Sequence, residues 1–349
     1  MGDSAGKRKV EAIETISKCL KSPPASVRRA LQSGILAIAW PAALAGAAEE
    51  RNVERVMEVE MGMEEDNMDR VLSLGYSPCP NDTFIFFALA NGLLDASSKT
   101  RFDVQLADVE ELNQKARQGE LDITKVSTRA VLDLLDEYWL LRAGGAIGRG
   151  CGPLVVSRRE MPLEQFRGCN LAIPGRLTTA HLLLELNGEF HGKCIEMRFD
   201  RIMPAVAAGE VDAGLIIHEG RFTYPALGLK LVVDLGAWWE GKTGLPLPLG
   251  VILIKRRLGV NVASQVETQI RESLLYAHHH REQAWPYVSS LAQEMEPAVI
   301  RQHIDMFVND YSLDIGSDGE NAIRFMLAVA AEQQNRKLSE RPVFWNDSV

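Results

Sequence analysis

The chain has 349 residues, 46% hydrophobic and 24% charged, with a formal net charge of -9 at pH 7. That length holds two ordinary domains with a real core, and the acidic balance argues against a nucleic-acid partner, which wants a basic stripe. Five cysteines, at 19, 79, 151, 169 and 194 and without a C-x-x-C pair, point to neither a disulfide framework nor a zinc site and fit a reducing, cytoplasmic compartment.

Residues 1–68 stand apart from the rest. They carry SPPAS, an alanine-rich run and the acidic EVEMGMEEDNM, and show no strand–helix rhythm. They read as a poorly ordered N-terminal extension. The apolar run ILAIAWPAALAGAA (35–48) follows Arg28 and Arg29 as a signal-peptide core would, but it starts late for a secretory signal. It is also shorter than the roughly 20 residues a membrane span needs, so no membrane partner is expected.

From about Arg70 the pattern becomes regular. VLSLGYS (71–77) reads as a buried strand and TFIFFALANG (83–92) as a helix closed by Gly92. FDVQLA (102–107) is a strand, VEELNQKARQG (109–119) a helix and LDITKVS (121–127) a third strand. Alternating strands and helices predict doubly wound parallel sheets.

The plan then recurs. NLAIPGRLTTAHLLLELNG (170–188) repeats the strand, polar turn and helix of 71–92. VAAGEVDAGLIIHE (206–219) repeats ARQGELDITKVSTR (116–129), and a shift of 90 residues lays Gly119, Glu120 and Asp122 on Gly209, Glu210 and Asp212. Two lobes of like topology follow. The apolar segments 152–159 and 247–257 cross between them as a two-strand hinge, and helices from about 263 to 335 complete the first lobe. The expected boundaries are 69–156 with 251–349 for lobe one and 157–250 for lobe two. This α/β architecture is the two-lobe clamshell of type 2 periplasmic binding proteins. Ligands of such sheets bind beyond the carboxyl ends of the strands. Four turns therefore face the cleft: SPCPNDT, TKVST, PGRLTT and IIHEGR.

Each turn offers candidates. Asn81, Asp82 and Thr83 stand where a helix begins, so one caps it and the others face ligand. Cys79 lies between two prolines that stiffen the loop, and no base stands beside it in sequence to activate a thiol. Lys125 and Ser127 close a buried strand, where a lysine is costly unless it meets an anion. Thr178, Thr179 and Ala180 open a helix, whose free N–H groups suit an anion or a plain cap. His218 ends a strand at the cleft and is the side chain best suited to move a proton near neutral pH. Glu219 beside it either orients the ring or points away. The glycine-rich GAIGRGCGPLV (145–155) leads into a strand, so it is no dinucleotide fingerprint; it predicts close backbone approach, with Arg149 as a carboxylate partner. Trp238 and Trp239 pack the hinge or stack on an aromatic ligand. His278, His279 and His280 are consecutive in a helical region, diverge by about 100° each and cannot grip one metal. No metal site is expected.

Taken together, GYSPCPNDTFIF, DVEELN, ITKVS, GGAIGRGCGPLVV, IPGRLTTA, GLIIHEGRFTYP and DLGAWWEGKTGLPLPLG resemble the 1,4-dihydroxy-6-naphthoate synthase family. The likeness runs from about Met68 to the C-terminus. It implies a cofactor-free lyase that converts cyclic dehypoxanthinyl futalosine to 1,4-dihydroxy-6-naphthoate on the futalosine route to menaquinone. By the same resemblance His218 is the proton acceptor, and Lys125, Val126, Ser127, Thr179 and Ala180 bind substrate. Asn81, Thr83, Arg149 and Thr178 are further pocket candidates. The expected partner is a small molecule carrying a carboxylate. The rival from another class is a solute-binding receptor for an aromatic or hydroxylated carboxylate, since the clamshell serves both roles. A chorismate dehydratase of the same fold is a second rival, against which SPCPNDTF and IIHEGRFTY argue. Neither the oligomeric state nor the group that holds the carboxylate is given by the sequence.

Overall fold

The computed structural model describes residues 70–94, 100–293 and 296–347. The extension expected at 1–68, with its apolar run, lies outside them. Two sheets organise the chain. The first begins with β1 (Arg70–Tyr76), flanked in parallel by β2 (Thr100–Leu106) and β3 (Ile123–Ser127). After β4 (Tyr138–Leu140) and β5 (Ala146–Gly148) the chain leaves this sheet. Strands β6 (Leu154–Ser157), β7 (Asn170–Ile173), β8 (Lys193–Glu196), β9 (Ala213–Ile216) and β10 (Lys230–Asp234) build the second. The long β11 (Leu247–Lys255) then returns to the first. The orders are β2-β1-β3-β11-β4, with β5 also paired to β11, and β10-β6-β9-β7-β8.

The internal repeat is visible in this topology. In each sheet a first strand lies between two parallel neighbours: β1 between β2 and β3, β7 between β8 and β9. The third strand of each is bordered by an antiparallel strand that has just crossed from the other half, β11 on β3 and β6 on β9. The expected lobe boundary at 156/157 falls inside β6, whose four residues all pair within the second sheet. The shared Gly-Glu-x-Asp segment has a physical task. Gly119 and Gly209 end their helices at φ 67° and 77°, a conformation that costs other residues a steric penalty. Asp122 then accepts from Ser73 N at 3.1 Å, and Asp212 accepts from Asn170 N at 2.9 Å. Each aspartate ties the approach to a third strand to the first strand of its own sheet.

All five residues of β3 are buried, so its polar members Thr124, Lys125 and Ser127 must find partners inside the protein. The helix expected over 83–92 is two short helices, Pro80–Ile85 and Phe87–Ala90, broken at Phe86. It starts earlier than expected because Pro80 fits the first helical turn, where its missing N–H has no partner to lose. The Gly259–His279, Arg281–Leu291 and Pro297–Phe307 helices cover the first sheet, burying Ile252, Ile270, Leu274, Val288 and Ile300 with Phe84 and Ile85. Trp239 packs edge-on against Phe325 at 5.8 Å and donates from Nε1 to Pro246 O, so it is a packing residue near the crossing. A Cβ on Gly152 would lie 2.2 Å from Gly236 Cα; the glycine-rich segment exists for that contact. Among the described residues, no helix is long and apolar enough to cross a membrane.

Candidate active site in the cleft

A cavity opens where the four turns meet. Ser77, Asn81 and Asp82 reach it from the turn after β1, and Lys125, Val126 and Ser127 from the end of β3. Thr178, Thr179 and Ala180 face them from the start of the Thr179–Asn187 helix, with Ile217, His218 and Arg221 from the segment after β9. Gly152, Pro153 and Leu249 close the hinge side, and Val109, Leu112 and Phe307 supply apolar wall. Two pocket candidates lie elsewhere. Thr83 spends its hydroxyl on Cys79 O and Pro80 O inside its helix, and exposed Arg149 donates to Gly244 O at 3.0 Å. Neither side chain lines the cavity.

The turn after β1 is organised around Asp82 rather than around a cap. The residue before the helix is Cys79, and no side chain caps it. The expectation that Asn81, Asp82 or Thr83 caps this helix is therefore corrected, because proline at the first helical position moves the start upstream. Asp82 instead accepts from Ser77 N at 3.2 Å, Ser77 Oγ at 2.7 Å and Asn81 Nδ2 at 2.8 Å, and pairs with Lys125. The anion that a buried lysine requires is thus supplied by the protein. Asp82 takes one of the three Nζ hydrogens, which leaves donors on the cavity side. Burial pushes the Cys79 thiol well up, so it stays protonated; Cys79 does not line the cavity.

Ser127 is held by Asn113, whose Oδ1 accepts Ser127 N at 2.9 Å and whose Nδ2 donates to Ser127 Oγ at 3.2 Å. Because Oγ is occupied as acceptor, its own hydrogen remains available. Asn113 Nδ2 also reaches Glu110 Oε2 at 3.2 Å. That carboxylate crosses the cleft and accepts Leu177 N of the opposite turn at 3.2 Å. Gly175 permits the approach: at φ 146° a Cβ there would meet Glu110 Cδ at 2.4 Å. Across the cleft, Thr178 caps its helix by accepting His181 N at 3.2 Å. Thr179 Oγ1 donates to Leu249 O at 2.8 Å and accepts Arg129 N at 3.3 Å, a second bond between the lobes.

His218 lies beyond the strand end, since β9 stops at Ile216. Its φ is 54°, a left-handed value that costs a non-glycine residue and marks a backbone held for a purpose. Its Nε2 is buried without a hydrogen-bond partner. Burial pushes the ring down to about 4, with Lys125 acting in the same direction and Asp82 against it, so the imidazole is uncharged at neutral pH. Phe199 meets the ring edge-on at 4.9 Å, and His303 stacks on it at 6.1 Å.

Sequence reasoning passed over Glu110, Asn113, Arg221 and His303. Arg221 lines the cavity while donating to Gly152 O and pairing with Asp234 at 3.0 Å. His303 had a legible signal: Ile300, His303, Ile304 and Phe307 share one stripe of a helix, and all four are buried. A histidine on an otherwise apolar stripe is a polar group that the core must satisfy.

A family model described as menaquinone biosynthesis matches residues 72–332. The chain belongs to this menaquinone biosynthesis family. Among family relatives, a 1,4-dihydroxy-6-naphthoate synthase from Thermus thermophilus is 50% identical over 273 residues, 78% of this chain and 98% of that protein. One from Streptomyces coelicolor is 45% identical over 267 residues, 75% of this chain and 93% of that one. The crystal structure of a protein from Archaeoglobus fulgidus is 37% identical, with a TM-score of 0.70 over 76% of this chain and 98% of that one. The periplasmic aliphatic sulphonate-binding protein of Escherichia coli is 14% identical, with a TM-score of 0.56 over 80% of this chain and 92% of that one. That last likeness shows the fold alone: this member of the menaquinone biosynthesis family is built as a binding-protein clamshell.

Proposed function

We propose that the protein is a lyase that converts cyclic dehypoxanthinyl futalosine to 1,4-dihydroxy-6-naphthoate in the cytoplasm, without a cofactor. The observation that carries this reading is His218, an uncharged histidine held at a strained φ with an unpartnered Nε2 in the cavity wall. A receptor has no need of such a base, whereas proton abstraction does. His218 takes a proton from the bound substrate, and formation of an aromatic ring helps to expel the sugar-derived fragment. Lys125, Ser127 and the free N–H groups at Thr179 and Ala180 are donors for the substrate carboxylate. Val109, Leu112 and Phe307 suit the flat apolar body of the naphthoate. The Glu110 and Thr179 bonds between the lobes hold the cleft shut, exclude water and align the leaving bond.

Incubation of the purified protein with cyclic dehypoxanthinyl futalosine, followed by product mass, tests the reading. Release of 1,4-dihydroxy-6-naphthoate supports it. No conversion, together with tight binding of some other carboxylate, transfers the cleft to a receptor role.

A further inference from the structure

Asn113 lies on the Val109–Arg117 helix, whose Val109 and Leu112 line the cavity, and it is 0% exposed. A buried amide must spend its donors and its acceptor inside the protein. Ser127 N can only donate, so the atom it reaches at 2.9 Å is the amide oxygen of Asn113, and that bond fixes which way the side chain faces. Nδ2 then has two hydrogens for two neighbours: Ser127 Oγ at 3.2 Å and Glu110 Oε2 at 3.2 Å. Glu110 accepts Leu177 N from the opposite lobe with both carboxylate oxygens, at 3.3 and 3.2 Å, and Gln114 Nε2 holds Oε1 at 3.2 Å. An unbroken chain of hydrogen bonds thus runs from Leu177 through Glu110 and Asn113 to Ser127. Its direction is set at both ends, because a carboxylate only accepts and a backbone N–H only donates. Asn113 Nδ2 has no lone pair, so Ser127 Oγ accepts from it and keeps its own hydrogen to donate elsewhere.

We propose that Asn113 is a positioning residue that couples closure of the cleft to the hydrogen Ser127 offers the substrate. When the Leu177 turn reaches Glu110, the carboxylate is fixed, and it holds one Asn113 hydrogen while the other holds Ser127 Oγ. The hydroxyl hydrogen is then kept for a ligand acceptor such as a carboxylate oxygen. Hydrogen bonds in such a chain polarise one another, so each contact strengthens the next. By linkage, a ligand at Ser127 and Leu177 at Glu110 favour one another. The proposal rests on the reading of Ser127 as a substrate donor.

Asn113→Asp keeps the shape of the side chain and the acceptor for Ser127 N, but puts an oxygen where Nδ2 stood. That oxygen takes the Ser127 hydroxyl hydrogen away from the ligand and stands beside Glu110 as a second acceptor. KM for cyclic dehypoxanthinyl futalosine is expected to rise at least about tenfold, with a smaller change in kcat. Ser127→Ala raises KM at least about fivefold in the wild-type chain but less than about twofold in Asn113→Asp, where the hydroxyl is already lost to the ligand. A merely structural role for Asn113 gives no such dependence. Losses that multiply, or a KM of Asn113→Asp within about twofold of wild type, overturn the proposal. The link to the opposite lobe is read without turnover, by hydrogen exchange of the full chain followed by mass spectrometry. The Leu177 amide is expected to exchange at least about tenfold faster in Asn113→Asp, while the amides of β7 keep their wild-type protection. An unchanged Leu177 rate, or a rise spread evenly over both sheets, overturns it. A wild-type chain inert toward the substrate defeats the proposed reaction instead, while the exchange rates still decide whether Asn113 governs the Leu177 contact.

Discussion

Replacing Lys125 with methionine strands the Asp82 carboxylate in the floor of the cleft. The two side chains are only 6% and 4% exposed, so water cannot take the place of the lysine. Removing one partner of a buried pair costs roughly 3–5 kcal/mol, because the remaining charge loses its compensation. Asp82 keeps three donors, Ser77 N, Ser77 Oγ and Asn81 Nδ2, at 3.2, 2.7 and 2.8 Å. That retained set places the loss near the low end, about 3 kcal/mol. With a urea slope of about 3 kcal/mol per M, the upper range for small domains, the unfolding midpoint falls by about 1 M. Combining Lys125→Met with Asp82→Asn removes both charges and recovers most of that loss, since buried pairs are often replaceable together. Urea unfolding followed by circular dichroism measures both variants. A Lys125→Met midpoint equal to wild type, or a double variant no better than the single one, refutes the reasoning.

Gly175→Ala drives a Cβ into the Glu110 carboxylate and forces its release from Leu177 N. A hydrogen bond to a charged group is worth about 1.5–3 kcal/mol, so KM rises at least about tenfold with a smaller change in kcat; an unchanged KM contradicts the clasp. Because burial holds His218 down to about 4, the acid limb of kcat/KM lies well below the ordinary histidine value of about 6.5. A limb at 6.5 or higher in a pH–rate series contradicts it. The same depression makes stability pH-dependent. The unfolded chain binds this proton near pH 6.5 and the folded chain does not, so the contribution is full above about 6.5 and is lost as pH falls toward 4. His303 shifts in the same direction for the same reason, burial. The melting temperature therefore drops between pH 7 and 5, and drops less in His218→Leu; equal drops contradict the linkage. A chain that begins at Met68 is expected to fold and to turn over at the full-length rate, because the described core starts at Arg70; an insoluble or inactive product contradicts that.

Much of the fold was legible because this chain states its plan twice. The Gly119 and Gly209 segments looked alike in sequence because both do the same mechanical task, a left-handed helix end followed by an aspartate that grips the first strand. The four turns were predictable as cleft walls once strands and helices alternated, and side chains from all four line one cavity. What the sequence left open was pairing at a distance. Lys125 announced a need for an anion, but that its partner is Asp82, 43 residues earlier, depends on how two strand ends meet. Glu110 and Asn113 looked like ordinary surface residues of a helix, because nothing local shows that the helix faces the opposite turn. His303 lies 85 residues after His218, and only the three-dimensional return of the C-terminal helices brings the two rings to 6.1 Å. Thr83 and Arg149 were placed in the pocket by neighbourhood in sequence; a helix interior and an exposed loop claimed them instead.

The central claim is that the cleft is a catalytic site worked by His218 rather than a binding pocket alone. The most direct test runs wild type and His218→Ala in parallel at saturating cyclic dehypoxanthinyl futalosine, with product followed by mass and substrate affinity by calorimetry. A positioned base contributes roughly 10²–10⁴-fold, so the variant is expected to bind substrate nearly as well as wild type while forming naphthoate at least about a hundredfold more slowly. Naphthoate formed by His218→Ala at the wild-type rate contradicts the account.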